Sequence, residues 1–349
     1  MSTARRGAGI PARPRRHEEK KMRVGVIGVG AMGRNHARVL SRLPGVDLAG
    51  VCDTDKSRAN EIASLCGTLP FYYAEELLDQ ELDAVHVVVP TFIHHAIAEE
   101  AISRGCHVLI EKPIADTVEH AQGILRRARR AGVTLMVGHI ERFNPAIRKL
   151  KELASDGHLG QLRSVSSLRV APYPKRIVDT GIIVDIGCHD IDIMSCLADC
   201  PVREVFCTAS STIHHLEDTA SISLQFDNAI NGHIETSWLS KIRARKLFAT
   251  FEAGFVLVDF IEQSLIVYDD ERAREIPVQK AEPLKEEIVE FLRCVREGDQ
   301  PKVGGEESIH ALGVALAAVT SSQLRLPLMI RGEGALDFTH ELAADRTDT

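Results

Sequence analysis

Lys112 stands in Glu111-Lys112-Pro113, directly after the apolar run His107 to Ile110. A lysine at the carboxyl end of a sheet strand can position a hydroxyl and stabilise the alkoxide developing on it. His189 follows Asp185 by four positions in Asp185-Ile186-Gly187-Cys188-His189, so on a helix the two share a face. An imidazole titrates near working pH and can take the hydroxyl proton. Asp185 then orients either the substrate or the imidazole. Lys112, Asp185 and His189 are therefore the expected catalytic group, and their chemistry is removal of a hydride from a carbinol carbon while a base takes its proton. Asp190 and Asp192 read as helix-start carboxylates complementing the dipole. A metal held by Asp185, His189 and His139 lacks a recognisable ligand spacing, so no metal is expected.

A departing hydride needs an acceptor, and the start of the chain supplies a place for one. Val24-Gly25-Val26-Ile27-Gly28-Val29-Gly30-Ala31-Met32-Gly33 puts a G-x-G-x-x-G turn between a strand and a helix. Gly28 permits the tight turn, Gly30 lets a pyrophosphate approach the backbone, and Gly33 lets helix and strand pack closely. The diphosphate then sits at a helix N-terminus, where unpaired N–H groups and the dipole favour negative charge. Asp53, at the end of the next strand, can accept from both adenosine ribose hydroxyls and repels a 2′-phosphate, which selects NAD over NADP. Arg58 lies nearby and reads as a solvated helix charge. The expected cofactor contacts are Gly28, Val29, Gly30, Ala31, Met32, Gly33 and Asp53, joined at the crevice edge by Pro90, Thr91, His94, Glu111 and Lys112.

The elements that hold these residues follow from hydrophobic periodicity. Val24 to Ile27, Leu48 to Cys52, Ala84 to Val89, His107 to Ile110 and Thr134 to Val137 alternate with helical segments, the rhythm of a doubly wound parallel sheet with both faces covered. After Glu141, strands follow one another almost without helices, from Val165 to Tyr268, which reads as an antiparallel meander. A helix from Gly187 to Leu197 sits inside it, and helices near Leu284 to Arg296 and Glu306 to Ser322 close the chain. The fold expected is α/β: an NAD-binding Rossmann domain over 23–142, then an α+β substrate and oligomerisation domain over 143–332 with a large open, mainly antiparallel sheet. Residues 1–22 and 333–349 read as tails, the first of them disordered.

Composition excludes several alternatives. A net charge of -7 lacks the positive surplus a nucleic-acid binder needs. Eight scattered cysteines without C-x-x-C pairs fit a reducing cytoplasm. No apolar run reaches the roughly 20 residues that span a bilayer, and the N-terminus has no signal-peptide h-region.

The glycine turn, the Pro90-Thr91 turn, Glu111-Lys112-Pro113 and the Asp185-x-x-x-His189 cluster, in this order and spacing, resemble the Gfo/Idh/MocA oxidoreductase family over Arg23 to Ile330. The resemblance implies catalysis by Lys112, Asp185 and His189, and a homodimer or homotetramer built through the open sheet. Val89 and Thr91 stand where the family often has Thr and Asn. The stretches Gly138 to Pro145, Arg169 to Gly181 and Asp185 to Met194 are similar to a branch that oxidises carbon 3 of UDP-N-acetylglucosamine. That implies a nucleotide-sugar substrate touched by His139, Arg142, Asn144, Arg169, Lys175, Arg176 and His189, and a partner aminotransferase acting on the ketone. Guanidinium forks at Arg169 and Arg176 suit a diphosphate. Trp238 reads as packed in the sheet or an interface. A free polyol such as an inositol is the alternative substrate, and an NAD-binding regulator without turnover is the alternative outside enzymes.

Overall fold

The structure, a computed structural model, describes residues 20–174 and 180–331 and a short strand at 335–336. The first half runs β1 (Met22–Ile27), α1 (Gly33–Leu40), β2 (Val46–Cys52), α2 (Lys56–Cys66), β3 (Pro70–Phe71), α3 (Ala74–Leu78), β4 (Ala84–Val87), α4 (His94–Ser103), β5 (His107–Glu111), α5 (Val118–Ala131) and β6 (Leu135–Gly138). Its strands form one parallel sheet in the order β3-β2-β1-β4-β5-β6. The winding reverses between β1 and β4, which opens a crevice beyond their carboxyl ends, where ligands bind in such sheets. Local signals set the helix ends: Asp55 caps α2 by accepting the Arg58 N–H at 3.1 Å, Thr117 caps α5 through the His120 N–H at 3.1 Å, and left-handed Gly67 and Gly132 stop them.

Side chains alternate across this sheet. Val85, Val87, Val108 and Ile110 face α4 and α5, whereas Val24, Val26, Leu109 and Met136 face α1 and a helix from the far end of the chain, α8 (Pro283–Glu297). That helix buries Leu284, Ile288 and Phe291 there, each worth about 1.5–3 kcal/mol of burial. Val29, Ala37 and Leu40 complete this face.

The second half opens with α6 (Pro145–Ser155), then β7 (Leu162–Pro172), α7 (Cys188–Ala198), β8 (Val202–Ser210), β9 (Thr219–Phe226), β10 (Asn231–Ser237), β11 (Leu239–Phe251), β12 (Gly254–Asp259), β13 (Ser264–Tyr268) and β14 (Ala273–Ile276). After α8 come α9 (Gly305–Leu324), β15 (Leu328–Arg331) and β16 (Ala335–Leu336). The sheet order is β14-β13-β12-β11-β7-β10-β9-β8-β15-β16. All its pairings are antiparallel except β7 with β10, where α7 and the β8–β9 hairpin supply the crossover a parallel pair needs. Trp238 is 2% exposed in this core, edge-on to Tyr173 and His214.

Several sequence expectations change. The α6 helix was not anticipated, although Asn144 followed by Pro145 is a helix-start signal. A domain boundary at 142/143 assigns α8 and α9 to the second half, yet α8 packs on α1, and Ile309 and Leu312 of α9 join the α4/α5 face. Ala335–Leu336, placed in a tail, pair with Ile330 and Arg331. The rest of that tail, and residues 1–19 of the first, lie outside the described residues. All eight cysteines are free thiols, and among the described residues no helix is long and apolar enough to cross a membrane.

Candidate active site

At the mouth of the crevice, Gly28 turns with φ +87°, and a Cβ there would meet the Val88 carbonyl oxygen at 2.3 Å. A Cβ on Gly33 would lie 1.8 Å from the Gly28 oxygen, whereas one on Gly30 meets nothing within 4 Å. The outer two glycines close the turn, and the middle one leaves it open on the side a pyrophosphate approaches. Ala31 is exposed and Met32 half-buried at the start of α1. Asp53 directly follows β2, with one carboxylate oxygen accepting the Val29 N–H at 3.0 Å and the other the Asp55 N–H at 2.9 Å. These residues fit a dinucleotide.

Arg58 is not a free helix charge: it grips Asp53 through two hydrogen bonds of 2.9 and 2.7 Å. Burial opposes the Asp53 charge, but the Arg58 bonds and the two amides outweigh it and hold the carboxyl below its usual range. The ribose hydroxyls expected at Asp53 therefore meet a carboxylate already oriented by Arg58.

Pro90 and Thr91 lie in the turn after β4, with Thr91 opening a short helical turn to Ile93. His94, expected as a cofactor contact, is 1% exposed, and its ring nitrogens face the Pro113 and Val89 carbonyls, both at 2.9 Å. It braces the turn after β4 against the turn after β5 and leaves no ring nitrogen for a cofactor. Glu111 is also corrected. Strand alternation turns its side chain to the α1 side of the sheet, where it meets the His36 Nε2 at 3.0 Å. Lys112, one residue on, points to the other chamber.

There the Lys112 ammonium donates to the Asp185 backbone oxygen at 2.6 Å and to its carboxylate at 2.9 Å. Burial disfavours its charge, but Asp185 prevails and the amine titrates above its usual value. Asp185 lies in a turn, Ile183–Gly187, that feeds α7. It thus holds Lys112, where the sequence suggested that it orients the imidazole or the substrate. His189 is half-buried in the first turn of α7, and its Nδ1 is buried without a hydrogen-bond partner. Burial first, then the charges of Lys112 and Arg169, keep its pKa well below the ordinary imidazole value. At neutral pH it is an uncharged ring able to accept a proton.

Four of the expected substrate residues are buried or paired within the protein. Arg169 is 4% exposed, donating to both Asp190 oxygens at 2.9 and 3.1 Å and to Glu141 at 2.7 Å, with its guanidinium 4.8 Å from the Phe260 ring centre. Arg142, expected at the substrate, is bidentate on Asp192, at 2.7 and 2.6 Å. Asn144 caps α6 and donates to the Phe260 oxygen at 3.0 Å. His139 is 1% exposed, its Nδ1 3.6 Å from Asp192. Asp190 and Asp192, 0% and 1% exposed, are thus buried anchors of α7, and Asp190 also lies in its first turn as a dipole partner does. Lys175 and Arg176 lie outside the described residues. Arg245 of β11 reaches Glu141 at 3.3 Å and adds positive charge near His189.

The model of the oxidoreductase family with an NAD-binding Rossmann fold matches residues 22–139, and that of the GFO/IDH/MocA C-terminal domain matches residues 147–256. The chain belongs to the Gfo/Idh/MocA oxidoreductase family. Its cofactor is NAD. It is 31% identical over 284 residues to UDP-N-acetylglucosamine 3-dehydrogenase of Acidithiobacillus ferrooxidans, across 78% of this chain and 88% of that protein. A solved structure of that enzyme superposes with TM-score 0.82 at 30% identity, covering 87% of this chain and 98% of the other. Myo-inositol 2-dehydrogenase of Thermotoga maritima is 27% identical across 86% of this chain and 96% of its own length.

Proposed function

We propose that this family member oxidises the 3-hydroxyl of UDP-N-acetylglucosamine to a ketone, with Lys112, Asp185 and His189 as its catalytic group. The observation that carries the chemistry is the Lys112–Asp185 pair with the His189 ring near it, its buried Nδ1 without a partner and its pKa held below the ordinary range by burial and nearby positive side chains. Bound NAD supplies the hydride acceptor. His189 takes the hydroxyl proton as the hydride leaves carbon 3, so one C–H and one O–H bond break and one C=O bond forms. The Lys112 ammonium, aimed by Asp185, stabilises the negative charge developing on that oxygen. His189 gains a proton among cations, so it sheds that proton readily at the end of the turnover. Contacts from Pro90, Thr91 and the backbone of the glycine turn hold the cofactor, and Lys175 and Arg176 remain the proposed diphosphate contacts. The protein acts in the cytoplasm as a homodimer or homotetramer, and its ketone feeds a partner aminotransferase. The likeness to the Acidithiobacillus enzyme supports this substrate.

The buried pairing of Arg142 and Arg169 with carboxylates favours a second reading, a free polyol such as an inositol, because it leaves neither guanidinium free for a diphosphate. Absorbance of reduced nicotinamide separates the two. With NAD and a carbonyl trap, UDP-N-acetylglucosamine is expected to give NADH and myo-inositol none. The reverse result replaces the nucleotide sugar by the polyol.

A further inference from the structure

On the α1 side of the parallel sheet, His36 of α1, Glu111 of β5 and Glu287 of α8 converge in the interior. Each offers one ligand atom, and these atoms all lie within 4.8 Å of one another. None has solvent to neutralise it: His36 and Glu287 are 0% exposed and Glu111 8%. Glu111 is paired with His36, but both carboxylate oxygens of Glu287 are buried with no hydrogen-bond partner. Burial beside Glu111 pushes the Glu287 pKa well above the ordinary carboxyl range, so without a cation this group keeps its proton, and a bound cation would take that proton's place.

We infer that His36, Glu111 and Glu287 form a buried zinc site that ties α1, β5 and α8 together. The donor set suits the ion: imidazole nitrogen and carboxylate oxygens at about 2.0–2.2 Å are ordinary zinc ligands. Its two positive charges cancel the two carboxylates, and no lysine or arginine forms an ion pair with either of them among the described residues. The surroundings are arranged as they are around metal-bound histidines, whose second nitrogen is held by an outer partner. With Nε2 turned to the site, the His36 Nδ1 lies 2.9 Å from the His86 Nδ1, and the His86 ring packs edge-on against Phe291 of α8. Gly138, paired with Glu111 across β5 and β6, makes room for the carboxyl: a Cβ there would fall 3.1 Å from it. Three protein ligands leave the fourth position of the zinc to a water, and the role of the ion here is to hold elements together. It clamps the helix that follows the dinucleotide turn to the strand that leads into Lys112.

The test uses the full chain, stripped with a chelator, reloaded with zinc chloride and dialysed. Metal analysis is expected to find one zinc per chain, a raised melting temperature, and an anomalous zinc peak between His36 and Glu287 in a crystal. E287Q and H36Q are expected to lose the zinc, while H120A, which alters an exposed histidine beside Asp116, keeps it. Wild-type protein that returns to trace zinc on dialysis, or an anomalous peak elsewhere, overturns the site. Retention of stoichiometric zinc by folded E287Q overturns it as well.

Discussion

Two polar clusters buried among the described residues differ in whether their charges balance. Around α7, Arg169 meets Asp190 and Glu141, and Arg142 meets Asp192, so each guanidinium lies against acid. In the second cluster Glu111 has His36 and the nearby charge of Lys112, but the two oxygens of Glu287 have no partner. A balanced buried network holds parts of the fold in place and is weak evidence of ligand binding. A buried carboxyl without a cation must hold a proton or take up an ion, and Glu287, whose pKa burial pushes well above the ordinary range, is in that position. Glu111 and Lys112, adjacent in the chain, point to opposite faces of the sheet because the strand alternates, Glu111 into the second cluster and Lys112 toward Asp185.

The largest effect expected lies in the chamber of Lys112. His189→Asn is expected to lower kcat by about 10²–10⁴, with NAD affinity unchanged in a fluorescence titration. Turnover that survives the change would remove His189 from the chemistry and place it with the scaffold. Next comes Asp190→Ala, which leaves Arg169 with a single buried acid. It is expected to cost about 3–5 kcal/mol in urea unfolding. A loss below about 1 kcal/mol would show that the α7 network is not a balanced scaffold.

The smallest effect is electrostatic. Because burial and nearby cations depress the His189 pKa, its neutral form persists below the usual imidazole range. Activity dependent on it should therefore hold as pH falls through that range, and be lost only below the depressed pKa. Arg245→Gln removes one of those cations, so the acid limb of kcat/KM is expected to move to higher pH, by less than about one unit. An unmoved limb would mean that Arg245 does not act on the ring.

The glycine turn, Asp53 and the β5-to-Lys112 step were legible because each is set by neighbours in sequence. A positive φ needs glycine, and a strand end delivers its next residue to the crevice. The parallel sheet was legible for the same reason, since apolar runs and helical periods alternate. The partners of the charged residues were not. Arg169 reads as a free cation until α7 brings Asp190 beside it, and Arg142 until it meets Asp192. Arg58 is the exception that was within reach, one helical turn and a cap away from Asp53. His86, a polar residue inside the apolar strand Ala84–Val87, was the one local hint of the second cluster. Its other members come from α1, β5 and α8, so only the fold assembles them.

Hydride abstraction from carbon 3 is the central claim, and isotope transfer tests it directly. UDP-N-acetylglucosamine carrying deuterium at carbon 3 is to be incubated with the protein and NAD, and the nicotinamide analysed by mass spectrometry. Reduced nicotinamide carrying the deuterium, with its formation slowed relative to unlabelled sugar, is the predicted result. Deuterium retained in the sugar while nicotinamide is reduced, or no reduction at all, would contradict it.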